Sequence, residues 1–227
     1  MTNDFSLIVP IASDREEYQF QIPQVFQLSK DGLSYCVKSI LNLDLTLFSA
    51  IYFTILESLE KKYSISDLLK LQFKRIGLKN AKIIILKKTT KSQPETVYET
   101  IRQAGIKGAI FIKDADCGFS AEISRQNSIA IYPLEQLKWV NPQNKSYVAV
   151  DDMFYVTNII EKRIISHYFS AGGYCFEDSD VFCKFYKKYQ DKNGLYLSHI
   201  IYAMLLEKII FRPIITKDYI DYETTNT

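Results

Sequence analysis

Apolar residues in the first half of the chain come in short unbroken runs that alternate with longer segments of helical period. The runs are Phe5 to Ile11, Ala50 to Leu56, Ala81 to Leu86 and Gly108 to Lys113. Being apolar on both faces, they predict buried strands. Between them, Gly32 to Leu43 places Leu33, Val37 and Ile40 at i, i+4 and i+7, which predicts an amphipathic helix. A second helix is expected from Ser64, with Gly77 just past its end, and a third over Pro94 to Ala104, with Val97, Ile101 and Ala104 on one face and Gly105 as its stop. Strands alternating with helices predict an α/β domain with a mostly parallel central sheet flanked by helices.

After about residue 120 the rhythm changes. "SIAIY", "SYVAV" and "FYVTNIIE" are shorter strand patterns, and a hairpin is expected to turn at Asp151 and Asp152. "DSDVFCKFYKKY" and "YLSHIIYAMLLEK" predict two more helices. No linker of Gly, Pro or Ser separates the halves, so residues 1–227 read as one domain, with 1–120 as a nucleotide-type half and 121–227 as an acceptor-type half.

Composition narrows the class. A hydrophobic content of 47% fits a globular chain, and 28 basic against 26 acidic residues leave a net charge of +2 without a basic block, so nucleic acid is not an expected partner. The longest apolar runs fall short of the roughly 20 residues of a membrane span. No signal peptide precedes Phe5, and Cys36, Cys117, Cys175 and Cys183 make no CxxC pair. A cytoplasmic location is the resulting expectation.

The stretch "IFIKDADCGF" runs from a buried-looking strand directly into Asp114 and Asp116. In open α/β sheets, ligands bind outside the carboxyl ends of the strands. Two carboxylates there suit Mg²⁺ or Mn²⁺, which keeps waters and bridges to phosphate; the alternative is an acidic turn that caps the next segment. Asp221, in "KDYIDYET", is a third acid that either completes a metal site or ends a solvated strand. Glu161 and Lys162 pair an acid that can read hydroxyls with a cation that can hold phosphate, unless they form an exposed ion pair of little energetic weight. Gly172 and Gly173 allow close backbone approach to a ligand or a tight bend. His199 falls in an apolar helical pattern and reads as packed rather than catalytic.

Taken in order, "LIVPIAS", "IPQVFQL", "TTKSQPETVYETI", "FIKDADCGF", "TNIIEKRIIS", "SAGGYCF" and "KDYIDYETT" resemble the sugar-phosphate nucleotidyltransferase family over nearly the whole chain. The resemblance implies a Rossmann-like nucleotide-diphospho-sugar transferase fold and transfer of a nucleotidyl group from an NTP to a sugar 1-phosphate, for surface polysaccharide synthesis. It places Mg²⁺ or Mn²⁺ between Asp116 and Asp221, with Asp114 assisting. It puts Glu161 and Lys162 on the sugar phosphate, Gly172 and Gly173 along the sugar pocket, and Gln93 and Glu95 near the base. The implied partners are a nucleotide and a sugar phosphate, or an NDP-sugar; a homodimer is left open.

The chain departs from the family at its first loop, which in the family is glycine-rich, ends in arginine and is followed by Pro-Lys. Here no glycine lies between Met1 and Asp31, Glu17 falls near the arginine's place, and Gln24 follows Pro23 where lysine is expected. Glu223 stands where the family usually has glycine. Ala12 and Ser13 open the loop as expected nucleotide contacts, and Arg15 is the expected catalytic cation beside Lys162, with Lys30 as a substitute. Three readings follow: an active but divergent nucleotidyltransferase, a catalytically impaired nucleotide- or NDP-sugar-binding module, and a GT-A-like glycosyltransferase.

Overall fold

Each of the four apolar runs forms a strand; three of them bury both faces, whereas Ala81 to Leu86, at the edge of the sheet, buries only Leu86 and leaves Lys82 and Ile85 exposed. The computed structural model describes residues 4–12, 21–137 and 144–222. The strands β1 (Phe5–Ile11), β2 (Ala50–Leu56), β3 (Ala81–Leu86) and β4 (Ala109–Lys113) pair in parallel, with β1 between β2 and β4. Alternate side chains point to opposite faces, so one sequence feeds two cores. Phe5, Leu7, Val9, Phe53 and Phe111 pack on one face, and Ile8, Tyr52, Ile110 and Ile112 on the other.

Helices cover both faces. On the first lie α1 (Tyr35–Lys38), α2 (Glu57–Tyr63) and α3 (Ile65–Arg75), through Val37, Leu59, Leu69 and Phe73. On the second lie α4 (Gln93–Ala104), α5 (Ser179–Tyr189) and α6 (Leu197–Leu206), through Val97, Ile101, Phe182 and Ile200. α3 and α4 stop beside Gly77 and Gly105 as expected, and both glycines have positive φ.

The expected helix over residues 32–43 is a correction. Only Tyr35 to Lys38 is α-helical, and the chain then continues in tight turns through Ile40 N–H to Val37 O, Leu41 N–H to Lys38 O and Leu43 N–H to Ile40 O. Leu33, Val37 and Ile40 are buried all the same, because a three-residue repeat keeps them on one side much as a helix would. α2 was not foreseen, since "ESLEKKY" buries only Leu59 and carries no apolar face for a periodicity argument. Ser64, at φ 51°, breaks the chain direction between α2 and α3.

In the second half, β5 (Cys117–Ser120), β6 (Ser128–Pro133), β7 (Ser146–Val150), β8 (Val156–Glu161), β9 (Tyr168–Phe176), β10 (Arg212–Ile215) and β11 (Lys217–Asp221) follow. Among the described residues, nine strands form one sheet, in the order β10-β6-β9-β4-β1-β2-β3, with β7 on β9 and β8 on β7; β5 and β11 make a separate antiparallel pair. The β7–β8 hairpin turns where expected, and the Asp151 carboxylate accepts from the N–H groups of Met153 and Tyr155.

β9 shapes the site most. It inserts antiparallel between β4 and β6, with Lys113 opposite Gly173. Sequence reading took the glycine pair for a bend or a pocket wall, yet both glycines are interior to this nine-residue strand. Gly173 faces the core: a Cβ there would meet Phe119 Cζ at 2.7 Å, Ala130 Cβ at 2.9 Å and Phe111 Cζ at 2.9 Å. It therefore packs the sheet and does not line the sugar pocket assigned to it. Gly173→Ala should lower the unfolding free energy by about 1–3 kcal/mol, as overpacked cores do. Denaturant melts check this, and an unchanged midpoint would contradict the packing assignment.

Candidate active site

The site lies at the carboxyl end of β4, where the chain leaves the sheet. Lys113, the last residue of that strand, is fully buried. Its Nζ donates to the carbonyls of Asp114 (2.8 Å) and Cys117 (2.9 Å), lies 3.2 Å from Cys117 Sγ and sits over the Phe119 ring. A buried ammonium is costly unless hydrogen-bonded, and these contacts wrap the Asp114–Ala115–Asp116 turn around it. The two acids thus sit on a turn and not on a continued strand.

β9 closes the other side. The Asp114 N–H donates to the Gly172 carbonyl (2.9 Å), and a Cβ on Gly172 would meet Asp114 Oδ2 at 2.8 Å and Cys117 Sγ at 2.7 Å. With φ at +80°, Gly172 needs both its missing side chain and its left-handed backbone. From α4, Gln93 Nε2 donates to Asp114 Oδ1 at 2.5 Å. Burial raises the Asp114 pKa to about 6, and the charge of Asp116 pushes in the same direction. Burial likewise pushes the Cys117 thiol up to about 12, which marks it as an inert packing group.

β11 supplies the third acid. It pairs with β5 so that Asp221 stands opposite Cys117, and the Tyr222 N–H donates to the Asp116 carbonyl (2.8 Å). Asp221 meets Lys145, just before β7: Nζ lies 2.7 Å from Asp221 Oδ2 and 2.8 Å from the Tyr219 hydroxyl. Both side chains of the ion pair are less than one-fifth exposed. Burial pulls the Lys145 pKa down, but the hydrogen bond and charge of Asp221 more than offset this, and the net shift is upward. Lys145 therefore stays cationic. Neither Lys113 nor Lys145 is among the expected site residues; the available signal was Lys113, an isolated lysine that ends an otherwise apolar strand inside "FIKDADCGF".

These residues line a polar cleft of about 180 Å³ whose walls include Gln93, Asp114, Asp116, Lys145, Glu161 and Gly172. Glu161, at the end of β8, accepts from the hydroxyls of Ser146 (2.5 Å) and Ser198 (2.7 Å), which hold its carboxylate in place. Lys162 adopts φ 60°, which turns it to the rim; its Nζ donates to the Tyr196 hydroxyl at 3.1 Å and lies over that ring. Tyr196 itself lines the cleft, and Lys162 stands outside it against that ring. His199 Nδ1 accepts from the Tyr196 N–H and caps α6, a structural role.

Other assignments are distributed differently. Glu95 accepts from the Lys91 N–H at the start of α4, so its carboxylate orders the loop before that helix. Ala12 ends the described part of β1's exit, and its carbonyl accepts from the Thr90 hydroxyl. Ser13, Arg15 and Glu17 lie outside the described residues, as does Glu223. Gln24, where the family has lysine, donates from Nε2 to the Tyr222 carbonyl at 2.8 Å and so ties the loop's far end to the strand carrying Asp221.

The donor chemistry for a divalent cation can be judged from this geometry. Among the described residues, no three His, Cys, Asp or Glu side chains are grouped to hold a metal. Mg²⁺ commonly uses one or two carboxylates and takes the rest of its shell from phosphate and water. Asp116 lines the cleft, and Asp221, on the strand beside its turn, has the Lys145 ammonium 2.7 Å from Oδ2.

The Asp114 shift has a consequence for stability. Its folded pKa, about 6, lies above the usual 3.8, so the folded state holds a proton that the unfolded state has lost between those values. Stability from this group is full below about pH 4 and falls as pH rises through 6. Asp114→Asn keeps the acceptor for Gln93 and removes the charge. The variant should match the wild type at pH 4 and exceed it at pH 7.5 by on the order of 1–2 kcal/mol, after discounting for the cleft's water. Parallel melts at the two pH values check this; equal stability at pH 7.5 would contradict it.

No protein-family model and no curated protein sequence matches the chain. Solved structures do. The nucleoside-diphosphate-sugar pyrophosphorylase from Vibrio cholerae RC9 superposes with a TM-score of 0.74 at 14% identity, covering 97% of this chain and 96% of that one. The inositol-1-phosphate CTP transferase from T. maritima gives 0.73 at 14% identity, with 96% and 87% covered. A UDP-glucose pyrophosphorylase complexed with UDP-glucose gives 0.67 at 13% identity, with 97% and 94% covered. The chain has the fold of the sugar-phosphate nucleotidyltransferases.

Proposed function

We propose that the cleft binds a nucleotide together with a sugar 1-phosphate or a similar phosphorylated metabolite, and that the chain transfers the nucleotidyl group between them, in surface polysaccharide synthesis. One observation carries this reading: Asp114, Asp116, Glu161 and Gly172, from separate segments, converge on one polar cleft at the carboxyl end of a parallel strand. That is where α/β sheets bind ligands, and the matching structures of this fold bear the names of enzymes that handle nucleotide sugars and their precursors.

In this reaction an oxygen of the sugar phosphate bonds to the α-phosphorus, and the bond from that phosphorus to the pyrophosphate oxygen breaks. Little covalent chemistry falls to the protein, so its residues work by positioning and by charge. Glu161, fixed by Ser146 and Ser198, is placed to accept from sugar hydroxyls. Lys162 at the rim meets the sugar phosphate, and the absent side chain of Gly172 leaves room beside Asp114. Asp116 and Asp221 would hold Mg²⁺ or Mn²⁺, which when bound neutralises charge on the phosphates. Gln93 stays with Asp114 and orients it toward the nucleotide side.

A second reading, the impaired binding module, is favoured by Gln24. Its neutral amide is engaged on the Tyr222 carbonyl, where the family's lysine would face phosphate. Turnover assays separate the two. Pyrophosphate release from the four NTPs with common sugar 1-phosphates supports the transferase. Binding of NDP-sugar without turnover supports the module, and neither result rejects both.

Two variants test the site itself. Asp116→Ala should abolish metal-dependent nucleotide binding in calorimetry while the protein remains folded; unchanged binding would remove Asp116 from the site. Lys162→Ala should weaken the phosphorylated acceptor by about tenfold or more, the scale of a lost charge-assisted hydrogen bond. Its melting temperature should hardly move, since an exposed lysine contributes little to folding. An earlier melt with normal acceptor binding would return Lys162 to a structural role.

A further inference from the structure

Charge is divided unevenly along the chain. Residues 57–91 hold 10 of the 28 basic residues and 3 of the 26 acidic ones, a net charge of +7, against −5 for the remainder. No consecutive run discloses this; the fold gathers it. The segment comprises α2, α3 and the edge strand β3, and α2 packs against both of the others. On α3, Ile65, Leu69, Gln72 and Phe73 are buried, which leaves Asp67, Lys70, Leu71 and Lys74 as an outer stripe at i, i+3, i+4 and i+7. β3 exposes Lys82 and Ile85 and runs out into Lys87, Lys88 and Lys91, all exposed. The three acids are already engaged: Glu57 with Lys61 at 2.8 Å, Asp67 with Lys70 at 3.3 Å, and Glu60 with the Ser66 N–H at 2.7 Å. Lys61 first, and the charge of Lys87 as well, hold the Glu57 carboxyl below its usual range, which places the end of β3 beside α2. Nucleotidyl transfer has no use for this face.

We propose that the face formed by α2, α3 and the edge of β3 docks on the anionic headgroups of a membrane surface. Its charge complements such a surface, and its side chains favour lipid over nucleic acid. Nine of the ten cations are lysines, so the guanidinium fork that reads phosphates and base edges is nearly absent. The large apolar side chains that this segment exposes are Leu71 and Ile85, both aliphatic, and neither offers a ring for a base to stack on. Aliphatic groups set among lysines suit the boundary between headgroups and acyl chains. No helix among the described residues is long and apolar enough to cross a membrane, so the contact is peripheral. Each cation held near an anionic leaflet strengthens binding by about fivefold. Lys91 stands two residues before Gln93 in the cleft wall, so docking sets the cleft's end of the sheet beside the bilayer. The inference needs only the charge and make-up of this face and stands apart from the transfer reading.

The experiment is co-sedimentation of the whole chain with lipid vesicles at pH 7.5 and about 0.1 M salt, where charges act over roughly 10 Å. Wild type should bind vesicles of one part phosphatidylglycerol to two parts phosphatidylcholine, ignore pure phosphatidylcholine, and leave the anionic vesicles at high salt. Lys74→Gln, Lys82→Gln and Lys88→Gln combined should weaken binding by about a hundredfold. The melting temperature of that variant should stay where it was, because all three side chains are exposed. Lys184→Gln, Lys192→Gln and Lys208→Gln combined remove the same charge from exposed positions elsewhere and should bind as wild type does. No binding to anionic vesicles overturns the proposal. Equal loss in the two triple variants overturns it too, since net charge would then act without a defined face. Single-stranded RNA that displaces the vesicles at equal phosphate concentration makes the face a nucleic-acid site and rejects the lipid assignment. Transfer activity, measured separately on the same variants, reports on the cleft, which none of these lysines lines.

Discussion

Everything at this site depends on the ion pair between Lys145 and Asp221. Asp114 and Asp116, on the turn after β4, line the cleft, and β11 carries Asp221 beside that turn. Like charges that close would push the two segments apart or force protonation. The Asp114 pKa is raised to about 6, by burial first and by the charge of Asp116 second. The ammonium of Lys145 answers the third acid and clamps β11 to the entry of β7. The pair is mostly buried, so breaking it costs more than breaking an exposed ion pair.

Behind that clamp lies a second lysine with a different task. Lys113 turns inward at the end of β4 and satisfies its ammonium on the carbonyls of the acidic turn. Gly172 on β9 then lets the strand backbone come against Asp114. The cleft is therefore assembled from four separated stretches, and each is fixed by backbone groups as much as by side chains. Such a scaffold suits a reaction whose catalysis is orientation and charge.

How much of this the sequence disclosed follows from the range of each signal. β1, β2 and β4 were legible because burial on both faces leaves a continuous apolar run, the edge strand β3 because its run is apolar too, and α3 and α4 because their stops are glycines. β9 was misread: "SAGGYCF" contains two glycines, which signal bends in isolation, whereas Gly173 is there because Phe111, Phe119 and Ala130 fill its space. That is a tertiary fact with no local signature. Asp114, Asp116 and Glu161 stand in short motifs at element ends and Gly172 in a glycine pair, and all four line one cleft. Glu95 was in such a motif too, but it caps a helix. Lys145 escaped notice because its partner is 76 residues away and nothing beside it in the chain marks it.

The account turns on where a nucleotide sugar and a divalent ion go when they bind. The most direct measurement is a crystal structure of the chain with UDP-glucose and Mn²⁺, with the metal located by its anomalous scattering. The account predicts a peak between Asp116 and Asp221 and the diphosphate in the cleft beside Gly172. A metal bound elsewhere, or UDP-glucose seated outside the cleft, would contradict it.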